Sequence, residues 1–435
     1  MTGSCRITRV HARQVLDSRG RPTVEVDVLL ADGSSGRASA PSGASTGRHE
    51  AWELRDGDPT RFEGRSVFRA VENVRTEIAR ALSGRDPAQQ QAIDRCLAEL
   101  DGTGNFRRLG ANAVLATSLA VCRAAAAHAG VPLHRHIAAL AGSDRLTLPM
   151  PMVNILSGGA HASRSMDMQD FLAVPVGASS FAEALEMAAR VRSAAQALMA
   201  ERGLPVLLAD EGGLSPGFGR TEAALQLMLE AITRAGLRPG DDVAVAIDVA
   251  ASELLQSNRY RLRGEERSLD GAEMVAFVTD LLRRFPVISV EDALDQDDWE
   301  HWRQFTGAAP EAQVLGDDLF ATNPARIAEG VTRGVANAVL IKPNQNGTLT
   351  GTLDAMRAAR LGGYATVVSA RSGETEDSFI ADLAVGTGAG QIKIGSVRNA
   401  ERLAKYNQLL RVEEDAAIPF ARRSGIAGQK PGDER

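Results

Sequence analysis

Lysine is scarce in this chain: of 49 lysines and arginines only four are lysine, at Lys342, Lys393, Lys405 and Lys430. Arginine carries nearly all the positive charge, the net charge is −6, and no long basic run is present, so neither a nucleic-acid nor a membrane surface is expected. Cysteine is scarcer still. Cys5, Cys96 and Cys122 are widely spaced and odd in number, which excludes a C-x-x-C metal site and suits a reduced cytoplasm. Aromatic residues, at 4%, are few as well; with abundant Ala and Arg they point to a GC-rich genome and carry no function. No stretch approaches 18 apolar residues and no signal-peptide core opens the chain, so neither a membrane span nor export is expected. What remains, 435 residues with 44% hydrophobic and 24% charged, is an ordinary globular composition with room for two domains.

One of the rare lysines sits where chemistry could use it. Lys342 closes an apolar run in A-V-L-I-K-P-N-Q-N, from Ala338 to Asn346. Arginine does not give up its proton in a protein, whereas a lysine crowded by other cations can become a base. Taken alone, Lys342 reads more readily as an incidental strand cap. The pattern recurs, however. Val243-Ala-Val-Ala-Ile ends on Asp248, Val287-Ile-Ser-Val on Glu291 and Gln313-Val-Leu-Gly on Asp317. Ala365-Thr-Val-Val-Ser is followed by Arg371 and Ser372, and Gln391-Ile carries Lys393. A helical pattern follows each run, which argues parallel strands with crossover helices. Ionisable residues at successive strand C-termini are what the catalytic mouth of a (β/α) barrel presents. Three acids converging there would repel one another unless a cation lay between them, and carboxylate-only ligation favours Mg²⁺ or Mn²⁺ over zinc.

The first 140 residues read differently. Ile7 to Leu16 and Thr23 to Leu30 alternate as half-buried strands around an Asp17-Ser-Arg-Gly-Arg-Pro turn. Helical patterns follow over Val67 to Leu82, Ala88 to Leu100 and Ala111 to Ala129, an α+β arrangement. The prolines of Asp144-Arg-Leu-Thr-Leu-Pro-Met-Pro mark a linker. The expected domains are therefore 1–143, an α+β N-terminal domain, and 144–420, the barrel, with a disordered tail at 421–435. Two Gly-rich loops are suited to closing over a ligand, Pro41-Ser-Gly-Ala-Ser-Thr-Gly and Leu156-Ser-Gly-Gly-Ala-His-Ala-Ser, although ordinary surface loops share their composition. His161 in the second reads equally well as a histidine satisfied by backbone.

Together these pieces resemble enolase, the phosphopyruvate hydratase family, in order from about Arg13 to Glu414. The motifs are A-R-Q-V-L-D-S-R-G-R-P-T-V-E-V, P-S-G-A-S-T-G-R-H-E, L-A-D-E-G-G-L-S-P, I-S-V-E-D, D-D-L-F-A-T-N-P, S-A-R-S-G-E-T-E-D-S-F-I-A-D-L and E-R-L-A-K-Y-N-Q-L-L-R-V-E-E. The resemblance implies an α/β fold, an enolase-type (β/α)8 barrel behind a smaller α+β domain, whose first strands, Met152 to Leu156 and Phe171 to Val174, are antiparallel. It makes the apolar run Val206 to Ala209, otherwise a ninth strand, a loop. By the same resemblance Asp248, Glu291 and Asp317 hold a first Mg²⁺, and Ser45 helps hold a second beside the phosphoryl group. Lys342 matches the base, its pKa expected to be lowered by Lys393 and the metals. Lys393 matches the group that binds the substrate carboxylate, and Arg371 and Ser372 match the phosphate grip. Glu211 matches the acid at the leaving hydroxyl, with His161 and Gln169 as neighbouring contacts. At least a homodimer is implied.

Departures from the family pattern gather on the leaving-hydroxyl side. The family has Gln-Glu-Phe where this chain has Gln169-Asp170-Phe171, keeping a catalytic carboxylate at Asp170 but one methylene shorter. It has Ser-His-Arg where this chain has Ser369-Ala370-Arg371, and no histidine follows His301. Ser157 and Arg164 each stand where Asn is usual, and Pro343 and Asn346 flank the base. Three functions follow. The first is a specialised lyase acting on a phosphorylated or phosphonylated hydroxy acid, such as a carboxyphosphonoenolpyruvate synthase of phosphonate antibiotic biosynthesis. The second is an ordinary hydratase converting 2-phosphoglycerate to phosphoenolpyruvate. The third is a non-catalytic binding protein, which has little reason to keep all three acids and both lysines.

Overall fold

The computed structural model describes residues 5–44, 47–416, 418–423 and 426–428. Strands β1 (Ile7–Leu16), β2 (Pro22–Leu30) and β3 (Ser35–Ser39) form an antiparallel meander. Its apolar alternation buries Val24, Val26 and Val28 against the alanine-rich helix Ala111–Ala129, most of which is buried. Gly36 permits the approach: a Cβ there would run into the backbone of Ala120 and Ala124. The helical pattern from Val67 to Leu82 is realised as Phe68–Asn73, a π-turn over Val74–Ile78, and Ala79–Leu82. Strand β3 is too short and too small-residued (S-G-R-A-S) to announce itself by periodicity.

Eight strands close into a barrel: β4 (Met150–Ser157), β5 (Asp170–Val174), β6 (Ala244–Asp248), β10 (Val287–Glu291), β11 (Gln313–Gly316), β12 (Ala338–Ile341), β13 (Ala365–Ser369) and β14 (Gln391–Gly395). Only β5 runs against its neighbours, pairing antiparallel with both β4 and β6. Inward-facing residues such as Met152, Leu172, Ala246, Leu315, Leu340 and Val367 fill the barrel as one apolar cluster. Their alternates, such as Ile155, Phe171, Ile247, Val314 and Val368, pack outward in the main core. That two-sided burial explains why these strands read as continuous apolar runs. Between β6 and β10 a small sheet of β7 (Leu255–Gln256), β8 (Arg259–Leu262) and β9 (Arg267–Leu269) rises beside the mouth. Its strands are two to four residues long, and the buried Tyr260, Leu262 and Leu269 are too few to announce a sheet among the surrounding charges and turns.

Residues 206–209 form no strand. Leu207 is 67% exposed, and the segment makes only an isolated bridge between Leu208 and Leu214. Of the tail set off at 421, Ala421 and Ile426 are buried in the barrel's inner cluster, and the Ala421 N–H donates to Leu148 O at 2.9 Å; residues 424–425 and 429–435 lie outside those described. Among the described residues no single helix is long and apolar enough to cross a membrane.

The N-terminal domain reaches over the barrel mouth. Arg19, in the turn after β1, donates to Ser42 Oγ at 2.9 Å, Gly43 O at 3.1 Å and Ser372 Oγ at 3.2 Å, and Ser42 bridges to Gly373. Gly373 is required there, because a Cβ would strike the Asp17 carboxylate.

Candidate active site

Strand direction decides which residues meet. Asp248 and Glu291 are the last residues of parallel neighbours β6 and β10 and stand in register with each other. Asp170 opens β5, and because β5 runs the other way its first residue also lies at the mouth, opposite Asp248. Asp317 follows β11 and Lys342 follows β12, where Pro343 starts a single helical turn. Lys393 lies within β14, in register with Ser369.

Lys393 Nζ donates to Asp248 Oδ2 and to Glu291 Oε2, each at 2.7 Å, with all three residues buried. Gln169 Nε2 donates to the same Asp248 oxygen at 3.1 Å. Burial disfavours the Lys393 ammonium, but Asp248 and Glu291 outweigh it and hold its pKa well above the lysine range. Burial, reinforced by Asp248, drives the Glu291 carboxyl well above its usual range. Among the described residues Glu291 Oε1 is buried with no hydrogen-bond partner, an acceptor facing excess negative charge. The donor set therefore fits a hard divalent cation: oxygen ligands only, one of them unsatisfied.

Lys342 Nζ is ion-paired with Asp317, whose other oxygen accepts from Gln345 Nε2 at 2.9 Å. The expected lowering of the Lys342 pKa is reversed here: burial pulls it down, but Asp317 and Glu291 together raise it above the ordinary value. For the same reason, burial notwithstanding, Lys342 holds the Asp317 carboxyl below its usual range. Lys342 is thus an ammonium as long as Asp317 is its partner.

The third group is built around His161. Its Nδ1 lies 3.0 Å from Asp170 Oδ2, and its Nε2 is 3.8 Å from Glu211 Oε1. The other Asp170 oxygen accepts from Asn154 Nδ2 at 2.6 Å and Ser157 Oγ at 2.9 Å. Burial pushes the Asp170 carboxyl upward, and the Asp170 and Glu211 carboxylates raise His161, against burial, to about 9. One proton is shared by the pair, and it belongs on His161, because two further donors already favour the Asp170 carboxylate. Asp170 therefore stands behind His161. The cleft itself is lined by His161, Gln169, Glu211, Asp248, Lys342, Ala370, Arg371, Ser372 and Lys393, together with Ala44 and Ser369.

Arg371 is buried and donates to Glu50 Oε2 at 2.8 Å and Asn344 Oδ1 at 3.2 Å. Ser372 Oγ accepts from the Ala44 N–H at 2.7 Å. Ser45, expected at the second cation, lies outside the described residues. Three acids of this region are absent from the sequence reading: Glu50, Asp292 and Asp318. Asp292 accepts from the N–H groups of Asp317 and Asp318, each at 2.9 Å, and so fixes the loop that carries Asp317. Burial and Asp317 push the Asp318 carboxyl up to about 7. The doubled D-D at 317–318 was the available signal for Asp318. Glu50 joins Arg371 across 321 positions, a pairing that local sequence does not carry.

Fold and cleft together define a barrel enzyme with paired cations and carboxylates at its mouth. Residues 7–137 match the family model for the enolase N-terminal domain, and residues 145–429 match that for the enolase C-terminal TIM barrel domain. The chain belongs to the enolase family, which makes it an enolase-superfamily lyase of a family generally dependent on Mg²⁺.

Proposed function

We propose that this chain eliminates water from 2-phosphoglycerate or a close phosphorylated or phosphonylated analogue, giving an enolpyruvate ester. The observation that carries this reading is the pair of ammoniums, half-buried Lys342 on Asp317 and buried Lys393 on Asp248 and Glu291, facing one small cleft. Removing a proton beside a carboxylate places a second negative charge on a group already charged. Asp248, Glu291 and Asp317 would hold one Mg²⁺ and Ser45 would help hold a second; bound there, the metal supplies positive charge against that build-up. Lys393 keeps its proton and donates to the substrate carboxylate. Lys342 takes the C2 proton, which requires Asp317 to be drawn away from its ammonium first. Arg371 and Ser372 grip the phosphoryl or phosphonyl group. Glu211 and the His161 imidazolium face the departing hydroxyl, His161 giving up the proton with which it leaves as water. Asp170 is a positioning residue that sets the His161 tautomer and charge.

Ala370, beside Lys393 and Arg371 in the cleft, favours an analogue bulkier than 2-phosphoglycerate, as in a carboxyphosphonoenolpyruvate synthase. An ordinary phosphopyruvate hydratase is the second reading, favoured because His161 still brings an imidazole to Glu211. The same proposal carries a cytoplasmic location, a homodimer or larger assembly, and neither nucleic-acid nor membrane partners. The test is 2-phosphoglycerate in D₂O with Mg²⁺, following C2 deuteration and phosphoenolpyruvate by NMR. Exchange abolished by chelation is expected; exchange that survives chelation, or none under any condition, overturns the lyase mechanism.

A further inference from the structure

Beyond Gln169, which lines both spaces, lies a second cavity of about 250 Å³. Its walls are the turn after β4, residues 217–219, the segment that follows β6, and the turn between β8 and β9. Three exposed arginines, Arg164, Arg261 and Arg263, are among its lining residues, against two acids, Asp167 and Glu253. Both carboxylates are engaged. Asp167 accepts from the N–H groups of Gly264 and Glu265, each at 3.1 Å, and Glu253 pairs with Arg164 at 3.4 Å. Arg261 and Arg263 have no side-chain ion pair or hydrogen bond among the described residues. The walls also hold strained backbone: Arg164 (φ 59°) and Ala250 (φ 49°) occupy the left-handed region that non-glycine residues avoid. Unpaired guanidinium forks in a concave wall match a carboxylate or phosphate, and such strain gathers at ligand sites.

We propose that this cavity is a subsite for a second anionic group, a carboxylate on the substrate carbon that carries the leaving hydroxyl. The inference rests on the reading above, in which Gln169, His161 and Glu211 surround that hydroxyl. A substituent on the same carbon passes Gln169 into the arginine-lined space, away from the phosphoryl grip at Arg371. The substrate class is then a 2-phosphoryl-3-hydroxy dicarboxylate. In the elimination the C2–H and C3–O bonds break and a C2–C3 double bond forms. The C2 proton goes to Lys342, and the C3 hydroxyl takes up the His161 proton and leaves as water, with no oxidant or reductant.

The probes are 2-phosphotartrate, which carries that extra carboxylate, and 2-phosphoglycerate, which lacks it. Their affinities are measured by calorimetry with Mg²⁺ on the full chain, alongside C2 exchange. The unmodified protein is expected to bind 2-phosphotartrate at least tenfold more tightly than 2-phosphoglycerate. Arg261→Gln with Arg263→Gln should bring that ratio close to one, while Arg357→Gln with Arg360→Gln, which removes the same charge elsewhere, should preserve it. No preference for 2-phosphotartrate, or equal loss of it in both double variants, overturns the subsite. If C2 exchange of 2-phosphoglycerate persists beside such a failure, only the subsite falls; absence of exchange with either probe sinks the lyase reading as well.

Discussion

His161 Nδ1 lies 3.0 Å from Asp170 Oδ2, so the shortened carboxylate at Asp170 reaches an imidazole and stops there. One methylene fewer than the family's glutamate turns a group expected in the cleft into one that holds the group in the cleft. Ser157 takes part in the same change, because its hydroxyl donates to Asp170 at 2.9 Å. Two of the departures from the family pattern are thus one structural unit.

Asp170→Asn tests that unit. The carboxylate is a cause of the raised His161 pKa, which stands at about 9, so its removal should lower that pKa by at least a unit. NMR titration of the His161 ring reads the shift directly. Turnover should fall about 10²–10⁴-fold, the usual contribution of a positioned acid, and the alkaline limb of its pH profile should move to lower pH. An unmoved His161 titration would show that Asp170 only packs.

Lys342→Ala should abolish C2 proton exchange while Mg²⁺ affinity, measured by calorimetry, stays within a few-fold. Lys342→Arg should be equally inactive, because a guanidinium does not deprotonate. Residual exchange in the arginine variant would assign the base elsewhere. The raised pKa of Lys342 adds a corollary: activity should depend steeply on whatever cation competes for Asp317.

The strand-end residues were legible in the sequence because fully buried parallel strands read as apolar runs, and a charge closing each run stands out. Asp248, Glu291, Asp317 and Lys342 stand out that way, and Lys393 as a charge carried within the last run. What local pattern could not show was pairing at a distance. The charge state of Lys342 follows from which carboxylate it touches, and Asp170's position behind His161 follows from β5 running antiparallel. The β7–β9 sheet and Ala421 escaped for a simpler reason. The first consists of strands of two to four residues, too short for buried Tyr260, Leu262 and Leu269 to stand out among charges and turns, and the second is a small residue in a Gly- and charge-rich tail, buried only because the barrel floor accepts it.

Arg123 and Asp377 link the N-terminal domain to the barrel, at 2.6 and 2.8 Å. Asp377 also accepts from the N–H groups of Ser39 at 3.0 Å and Phe379 at 2.8 Å. Burial opposes its charge, yet Arg123 and these donors hold the Asp377 carboxyl below its usual range. A lowered folded pKa stabilises above the unfolded value, near 3.9, and that stability is lost as pH falls through the folded value. Asp377→Asn should therefore cost about 2 kcal/mol at pH 7. The cost, read as a shift in urea midpoint, should stay level from pH 8 to about 5 and shrink below about 4. A difference independent of pH down to 3 would assign the effect to packing.

Ala370 decides between the two lyase readings. Its N–H donates to Lys393 O at 2.8 Å, and Ala370 lines the cleft beside Lys393 and Arg371. A histidine there would narrow the space and add a donor on the hydroxyl side. If the cleft is shaped for a bulkier ester, the unmodified protein should turn over 2-phosphoglycerate slowly, and C2 exchange and dehydration should both be depressed. Ala370→His should then raise kcat/KM for 2-phosphoglycerate at least tenfold while harming the native substrate. Adding Asp170→Glu should help only if the longer carboxylate can be seated, since an extra methylene in a packed interior typically costs about 1–3 kcal/mol. In an ordinary hydratase that has lost one imidazole, proton removal is intact and hydroxyl departure is slow. C2 exchange would then outrun phosphoenolpyruvate formation in the unmodified protein. A steady-state kcat of about 10 s⁻¹ or more with 2-phosphoglycerate, ordinary for enzymes at large, would overturn the specialised-substrate reading.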